Sequence, residues 1–563
     1  MKRPRSRLVI GLVLMVAWIG SNLLWSAYVE RERTMYAWDH VAYWSLTDSL
    51  AKGLKADPRA ALAGVGRSLA EDELNLLPSL PLAPALGAFE RSRKAWILTV
   101  LNLYALPALL LGWWALRRWG ERTENQWDQT MIGWTWGATI LLFAPLWEPL
   151  ALGYLDIGGL VLIFAAAGLL AGLSSDGARE AVLAAAAIGV LVAVVMIFRR
   201  WYAFWSVSFC IVVALGAIGI LIRTRRLAAL RIPFAIGGSV LGTLLLLAGP
   251  RLATMAQSDY AGRFVHYKVL HSVGAELWGV VLHFGFVSLA LAAAGAVVLI
   301  CSRATRWPAI GIALQLLIIA VLFRRVQDPT PQHWYLILPG LMMLTAGGMT
   351  SMLNRLGSGG RKALILTISV LGIVTTAQVF GAISAVEVPA LSSVRIIPKV
   401  RGDLPEFKRL MTWLDGRISM GARWIYVLAG TGSVSDSSLA FSNFSLATHF
   451  NSSPHVLMTA QVDLRDGFPD GLLLADIVVL PLPVAARGET QRVVSVPAQA
   501  FIEGVDIARA FVKLDEVFNF DGGVTAQVFE RIRPNTSDEV QSLCDRLQRY
   551  YPEHPEIWTP PEG

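Results

Sequence analysis

The residues of this 563-residue chain that are best suited to chemistry sit at the ends of long apolar runs. Asp39 stands in YAWDHVAYW and Asp156 in GYLDIGGLVLIF. Arginine pairs occur at Arg199–Arg200 and Arg324–Arg325, and His333 lies in QHWYLILP. A carboxylate among aromatic rings at a membrane surface suits proton abstraction, because partial desolvation favours its taking a proton. Asp is equally a good helix N-cap, and an amphipathic stretch follows Asp39, so base and cap both fit. Asp156 also opens an apolar run, where it suits a cap. Its neighbours Gly158 and Gly159 permit close approach of a ligand or another helix.

Each arginine pair closes an apolar run. A phosphate or diphosphate is a natural partner, because guanidinium forks match phosphate oxygens. Snorkelling, or for the second pair an ion pair with Asp328, is the plainer alternative. His333 fits a structural or a site role. No Walker loop, HExxH, GxSxG or dinucleotide fingerprint occurs. The GTGS at 430–433 is only a short Gly-rich turn. The three cysteines, Cys210, Cys301 and Cys544, have no disulfide or metal-ligand spacing.

The elements that must position these residues are membrane spans. Hydrophobic residues make up 55% of the chain and charged residues 16%, against about 25% charged in a typical soluble domain. The imbalance is concentrated in residues 95–390, whereas 400–563 reads as an ordinary globular sequence. Eleven apolar segments predict spans near 8–28, 95–116, 130–147, 157–173, 181–198, 203–222, 233–250, 280–301, 308–323, 335–353 and 363–385. They are apolar on all sides, which fits helices and not barrel strands. The net charge of +8 comes largely from basic residues in short loops, the pattern of membrane topology, and points away from nucleic acid. With a cytoplasmic N-terminus, the cytoplasmic loops carry seventeen Lys and Arg and the opposite short loops seven. The positive-inside rule favours that orientation, and an odd number of spans then places the tail outside.

On this topology Asp39, His40, Asp156, Arg199, Arg200, His266, Lys268, His271, Arg324, Arg325, Asp328 and His333 all fall at non-cytoplasmic span ends. Such one-sided polar variety marks a candidate site. The long first outer loop, 29–94, carries an amphipathic stretch at 40–54 and the proline-broken NLLPSLPLAP at 75–84, both suited to the membrane surface. In the tail, helices are expected at 404–416 and 537–550 and strands at 423–429, 475–482 and 524–530, an α/β pattern.

Taken together, the order and sidedness of these features resemble the GT-C class of membrane glycosyltransferases, which includes protein mannosyltransferases and lipid A aminoarabinose transferases. The features are WDHVAYW after the first span, the Pro-rich outer loop, GYLDIGG opening a later span, RRWY at 199–202, FRR at 323–325, QHWYLILP before a late span, and an α/β tail. The likeness covers about residues 1–390. It implies an α-helical multi-pass membrane fold with a catalytic domain at 1–390 and a soluble extracytoplasmic α/β domain at 391–563. It further implies a bacterial inner-membrane enzyme that takes a sugar from a polyprenyl-phosphate donor to a glycan, lipid or protein acceptor, with inversion. Asp39 would be the catalytic base. His40, Asp156, Arg199, Arg200, Tyr202, His266, Lys268, Arg324, Arg325, His333 and Tyr335 would serve the substrates. Many members carry a second acidic residue beside the first-loop Asp. Here the neighbour is His40, which argues against a two-carboxylate metal site in this loop; no cofactor is implied, and a divalent metal is left open. A transporter, a lipid-linked glycan polymerase or ligase, and a non-enzymatic assembly protein are the competing readings; the first is disfavoured by the lack of repeats and of mid-membrane polar residues.

Overall fold

The computed structural model describes residues 3–72, 74–89, 92–123, 127–173, 178–257, 268, 272–383, 390–430, 432–446, 448–486 and 491–559. The chain divides into two units, one of residues 1–28 and 46–397 and the other of 29–45 and 398–563.

The first unit is helical, and a helix stands at each of the eleven expected segments. Among the described residues, six helices are long and apolar enough to cross a membrane: Arg93–Glu121, Arg179–Phe198, Tyr202–Thr224, Leu227–Gly249, Arg306–Phe323 and Ser358–Val379. A seventh is reached if Val273–Phe284 and Phe286–Cys301 count as one span, although they meet at 98°. The multi-pass helical class therefore stands, while the count of eleven is not confirmed. Two segments are short for a crossing. Gln129–Leu142 has 14 residues and Ile157–Gly172 has 16, against about 20 for a hydrocarbon core.

The break in the expected span 280–301 has a local cause. Gly285 has φ +80, and a Cβ there would lie 2.6 Å from the Ser392 amide nitrogen. The extended segment after residue 390 runs past this point. It bonds through Ser393 N–H to Leu282 O, and Val287 N–H donates to Ala390 O. A continuous helix would leave no room for that segment, and only glycine accepts both the conformation and the approach.

The second unit is built on a four-stranded sheet whose strands lie in the order 425–427, 477–482, 524–531 and 511–520. β1 (Ile425–Val427) pairs parallel with β2 (Ile477–Leu482). β4 (Val524–Arg531) runs antiparallel to β2 and to β3 (Phe511–Phe520). Side chains alternate between the faces, as strand geometry demands. Tyr426, Val478, Leu480 and Phe529 enter one core with Val493, Phe501, Leu543 and Leu547 of helices Arg492–Glu503 and Ser537–Gln548. Ile425, Val427, Ile477, Val479 and Val528 enter the other with Phe407, Leu410 and Leu414 of helix Leu404–Ser419.

The expected strands 475–482 and 524–530 form nearly as read, and 423–429 shrinks to Ile425–Val427. β3 was not expected. It is an edge strand whose charged Lys513, Asp515 and Glu516 are exposed or half-buried, so its apolar signal is thin. The last helix is capped by Thr536 in a capping box with Glu539, one residue before the expected Ser537.

Candidate functional site

In the first unit the polar residues converge on the turn before helix Ile157–Gly172. The short helix Glu148–Leu152 ends at Gly153, which is left-handed at φ +85. Arg93 Nη2 donates to Ala151 O at 3.0 Å, and Trp96 Nε1 donates to Gly153 O at 3.2 Å. These two bonds pin the turn that delivers Asp156. Asp156 occupies the N-cap position, yet its side chain makes no capping bond. Oδ1 instead accepts from Arg199 Nε at 3.0 Å and from Trp201 Nε1 at 2.9 Å. The carboxylate therefore does not cap its own helix; it holds an arginine. Tyr202 O–H donates to Asp156 O at 2.6 Å. The Tyr202 ring lies so close to Gly159 that a Cβ there would sit 2.2 Å from it.

Arg199 and Asp156 are both buried, with side chains 2% and 0% exposed. A buried pair of this kind is costly to desolvate and worse to break, so it marks a place where geometry is being held. Both Arg199 and Arg200 stack on Trp201, each guanidinium carbon 4.7 Å from the ring centroid. Trp201 in turn packs edge-on to His333, with centroids 4.6 Å apart, and Phe323 packs on the same imidazole at 4.9 Å. His333 lies in the turn between two helices. Its Nδ1 accepts the Thr330 amide N–H at 3.0 Å, so the ring proton sits on Nε2. Burial, and then the Arg199 and Arg200 cations, push its pKa well below the usual histidine range, and it is neutral. Tyr335 is fully buried and donates to Leu146 O at 2.8 Å. The hydroxyl protons of Tyr202 and Tyr335 thus go to backbone carbonyls.

The second arginine pair is placed differently. Arg324 Nε meets the Glu276 carboxylate at 2.8 Å, with the Arg324 side chain 41% exposed. Lys268 Nζ donates to the Arg324 carbonyl at 2.8 Å, and Arg325 is exposed. His266 and His271 lie outside the described residues. A pair not singled out from the sequence is Glu148 and His283, 3.3 Å apart, with the imidazole stacked on Trp334 at 4.8 Å. A glutamate in the otherwise apolar LWEPLAL could have signalled it.

Asp39 belongs to the second unit. It is the first residue of helix Asp39–Ala56 and half-buried, as is His40. Trp38 O accepts from Val41 N–H at 3.1 Å and Ala42 N–H at 2.8 Å, so Trp38 holds the cap position and Asp39 does not. The carboxylate stands in the first turn, where the helix dipole favours an anion. Trp38 has φ +50, a left-handed conformation that costs a non-glycine residue about 1–2 kcal/mol. Among the described residues, no three His, Cys, Asp or Glu side chains are grouped so as to hold a metal ion.

No protein-family model matches the chain, and no curated protein does. Solved structures do match, and two of them cover nearly all of it. The crystal structure of ArnT from Cupriavidus metallidurans bound to undecaprenyl phosphate aligns with a TM-score of 0.56 at 13% identity, covering 92% of this chain and 98% of that one. The apo-state crystal structure of the same protein gives 0.53 at 11% identity with the same coverage. The chain therefore has the ArnT fold, and the GT-C resemblance read from its motifs stands at the level of fold.

Proposed function

We propose that this chain is a membrane glycosyltransferase that moves a sugar from a polyprenyl-phosphate donor to a hydroxyl of a glycan, lipid or protein acceptor at the extracytoplasmic face, with inversion. The observation that carries this reading is the buried Asp156–Arg199 pair joined by Trp201, with Arg200 stacked on the same indole. It occurs in a fold shared with a protein whose crystal structure holds undecaprenyl phosphate.

In this reading Asp39 takes the proton of the acceptor hydroxyl. The oxygen attacks the anomeric carbon from the face opposite the phosphate, the bond from that carbon to the phosphate oxygen breaks, and polyprenyl phosphate leaves. Negative charge grows on the departing phosphate, where guanidinium groups stabilise the transition state. Asp156 fixes Arg199 through Nε, and Trp201 holds the Arg199 and Arg200 guanidinium planes, so the forks are oriented before charge develops. Neutral His333 supports Trp201 without adding charge. Arg324 is engaged by Glu276 and serves the site less directly. In this reading the catalytic residues all lie within 1–390, the segment 29–45 with Asp39 packing as part of the second unit; the N-terminus is cytoplasmic and residues 391–563 are extracytoplasmic.

The test is sugar transfer by the purified chain, with a panel of undecaprenyl-phosphate sugars as donors and a cell-envelope extract as acceptor, comparing native protein with Asp39→Asn. Transfer that collapses in a folded Asp39→Asn protein supports class and base together. No transfer from any donor by folded native protein rejects the reading.

A further inference from the structure

Residues 398–563 carry no catalytic motif, yet they hold the segment that bears Asp39 at several places. Resting on the reading of Asp39 as the base, we propose that Ser437 and Ser445 are positioning residues that set where that base stands. The segment 29–45 belongs to the same unit as residues 398–563. Arg33 joins the chain around Val400 in a parallel bridge, with Arg33 N–H on Lys399 O and Arg401 N–H on Arg33 O, each at 2.8 Å. Tyr36 N–H donates to Ser445 Oγ at 2.9 Å. Trp38 N–H donates to Ser437 Oγ at 2.5 Å. Beyond Asp39, the Trp44 ring packs edge-on against Phe444, with centroids 5.0 Å apart.

Asp39 lies between the third and fourth of these points, and the third acts on the residue whose torsions aim it. A tryptophan persists at positive φ only where its surroundings impose it. The imposing group here is tied to the central sheet. Thr459 Oγ1 donates to Val427 O of β1 at 2.7 Å, and the Thr459 amide donates to Asp436 Oδ2 at 2.8 Å. Asp436 Oδ1 accepts the Ser437 amide at 2.6 Å, and the Ser437 hydroxyl holds Trp38. Thr459, Asp436 and Ser437 are 5%, 0% and 1% exposed. A relay of buried hydrogen bonds thus runs from a sheet strand to the residue before Asp39. Without the Ser437 hydroxyl, Trp38 relaxes toward negative φ and the first turn of the helix, with its carboxylate, moves.

The experiment compares native chain, Ser437→Ala, Ser445→Ala, Ser437→Thr, Asp39→Asn and, as a control elsewhere in the same unit, Ser495→Ala. All are purified as full chains and checked for native thermal unfolding. Steady-state transfer is measured with the undecaprenyl-phosphate sugar that the donor panel selects, and amide hydrogen exchange is followed at residues 38–42. Ser437→Ala is expected to lower kcat by about 10- to 100-fold, the scale on which a misplaced group acts. KM for the donor should stay within about twofold, because substrate binding itself is untouched. Exchange at 38–42 should quicken, Ser445→Ala should show a weaker form of both effects, and Ser437→Thr should restore them. If Ser437→Ala does not fold, Ser445→Ala and Ser437→Thr carry the comparison. The inference is overturned on its own if both alanine variants keep native kcat and exchange while Asp39→Asn is inactive, or if Ser495→Ala loses as much as Ser437→Ala. Activity retained in Asp39→Asn overturns the assignment of the base, and this inference with it.

Discussion

Arg199 donates its Nε–H to Asp156 Oδ1 across 3.0 Å, although the two stand 43 positions apart in the chain, and both side chains are shielded from solvent. The bond joins the start of helix Ile157–Gly172 to the turn between helices Ala178–Phe198 and Tyr202–Thr224. Removing one partner leaves a buried charge without its counterion. Asp156→Ala should therefore cost about 3–5 kcal/mol of stability, read as a fall in the thermal unfolding temperature in detergent. A double variant, Asp156→Leu with Arg199→Met, should be more stable than Asp156→Ala and yet fail in transfer. Equal stability of the single variant and native protein would show that the pair does not hold the turn.

The two arginine pairs should separate in a kinetic comparison. Arg200 stacks on Trp201 beside the buried pair, whereas Arg324 meets Glu276 in a partly exposed bridge. Arg200→Ala should lower kcat by about 100- to 1,000-fold, the range for loss of one group that stabilises developing charge. Arg324→Ala should change it by less than about threefold, since exposed bridges contribute little. The reverse ranking would move phosphate binding to the second pair.

Gly285 should tolerate no side chain. At φ +80, with the Ser392 amide nitrogen 2.6 Å from an added Cβ, Gly285→Ala should destabilise by about 1–3 kcal/mol. Gly237, inside helix Arg231–Gln257 and with nothing within 4 Å of an added Cβ, is the control. Gly237→Ala should be neutral or stabilising by up to about 1 kcal/mol. Unfolding temperatures of the two variants check both statements.

The C-terminal unit should lose stability in acid through Glu539. A hydrogen bond from Arg533 chiefly, opposed by burial and aided by the Thr536 N–H, lowers its pKa from 4.5 to about 2. Because the folded value lies below the unfolded one, this contribution is present above pH 4.5 and is lost as pH falls through about 2. Glu539→Gln should flatten that part of the unfolding profile, which far-UV circular dichroism against pH would follow. An unchanged slope would place the acid sensitivity elsewhere.

The sequence by itself determined that the chain spans a membrane several times and ends in an α/β unit, because those properties are local. Apolar runs force backbone groups to pair within a helix, and the runs at 475–482 and 524–530 are apolar and β-branched enough to be strands wherever they pack. It also placed Asp39, Asp156, Arg199, Arg200 and His333 on a short list, since polar residues beside apolar runs are costly without a purpose. Only the tertiary structure decided what those residues touch. A cap position and a cap are the same letters, and whether Asp156 turns to its own helix or to Arg199 depends on a turn 43 residues away. The break at Gly285 depends on the chain near Ser392, and the left-handed Trp38 depends on Ser437, 399 residues distant. β3 escaped notice because an edge strand is stabilised by its ladder with β4 more than by its own apolar content. Helix and strand arise from neighbours in sequence, whereas the aim of a side chain is set by neighbours in space.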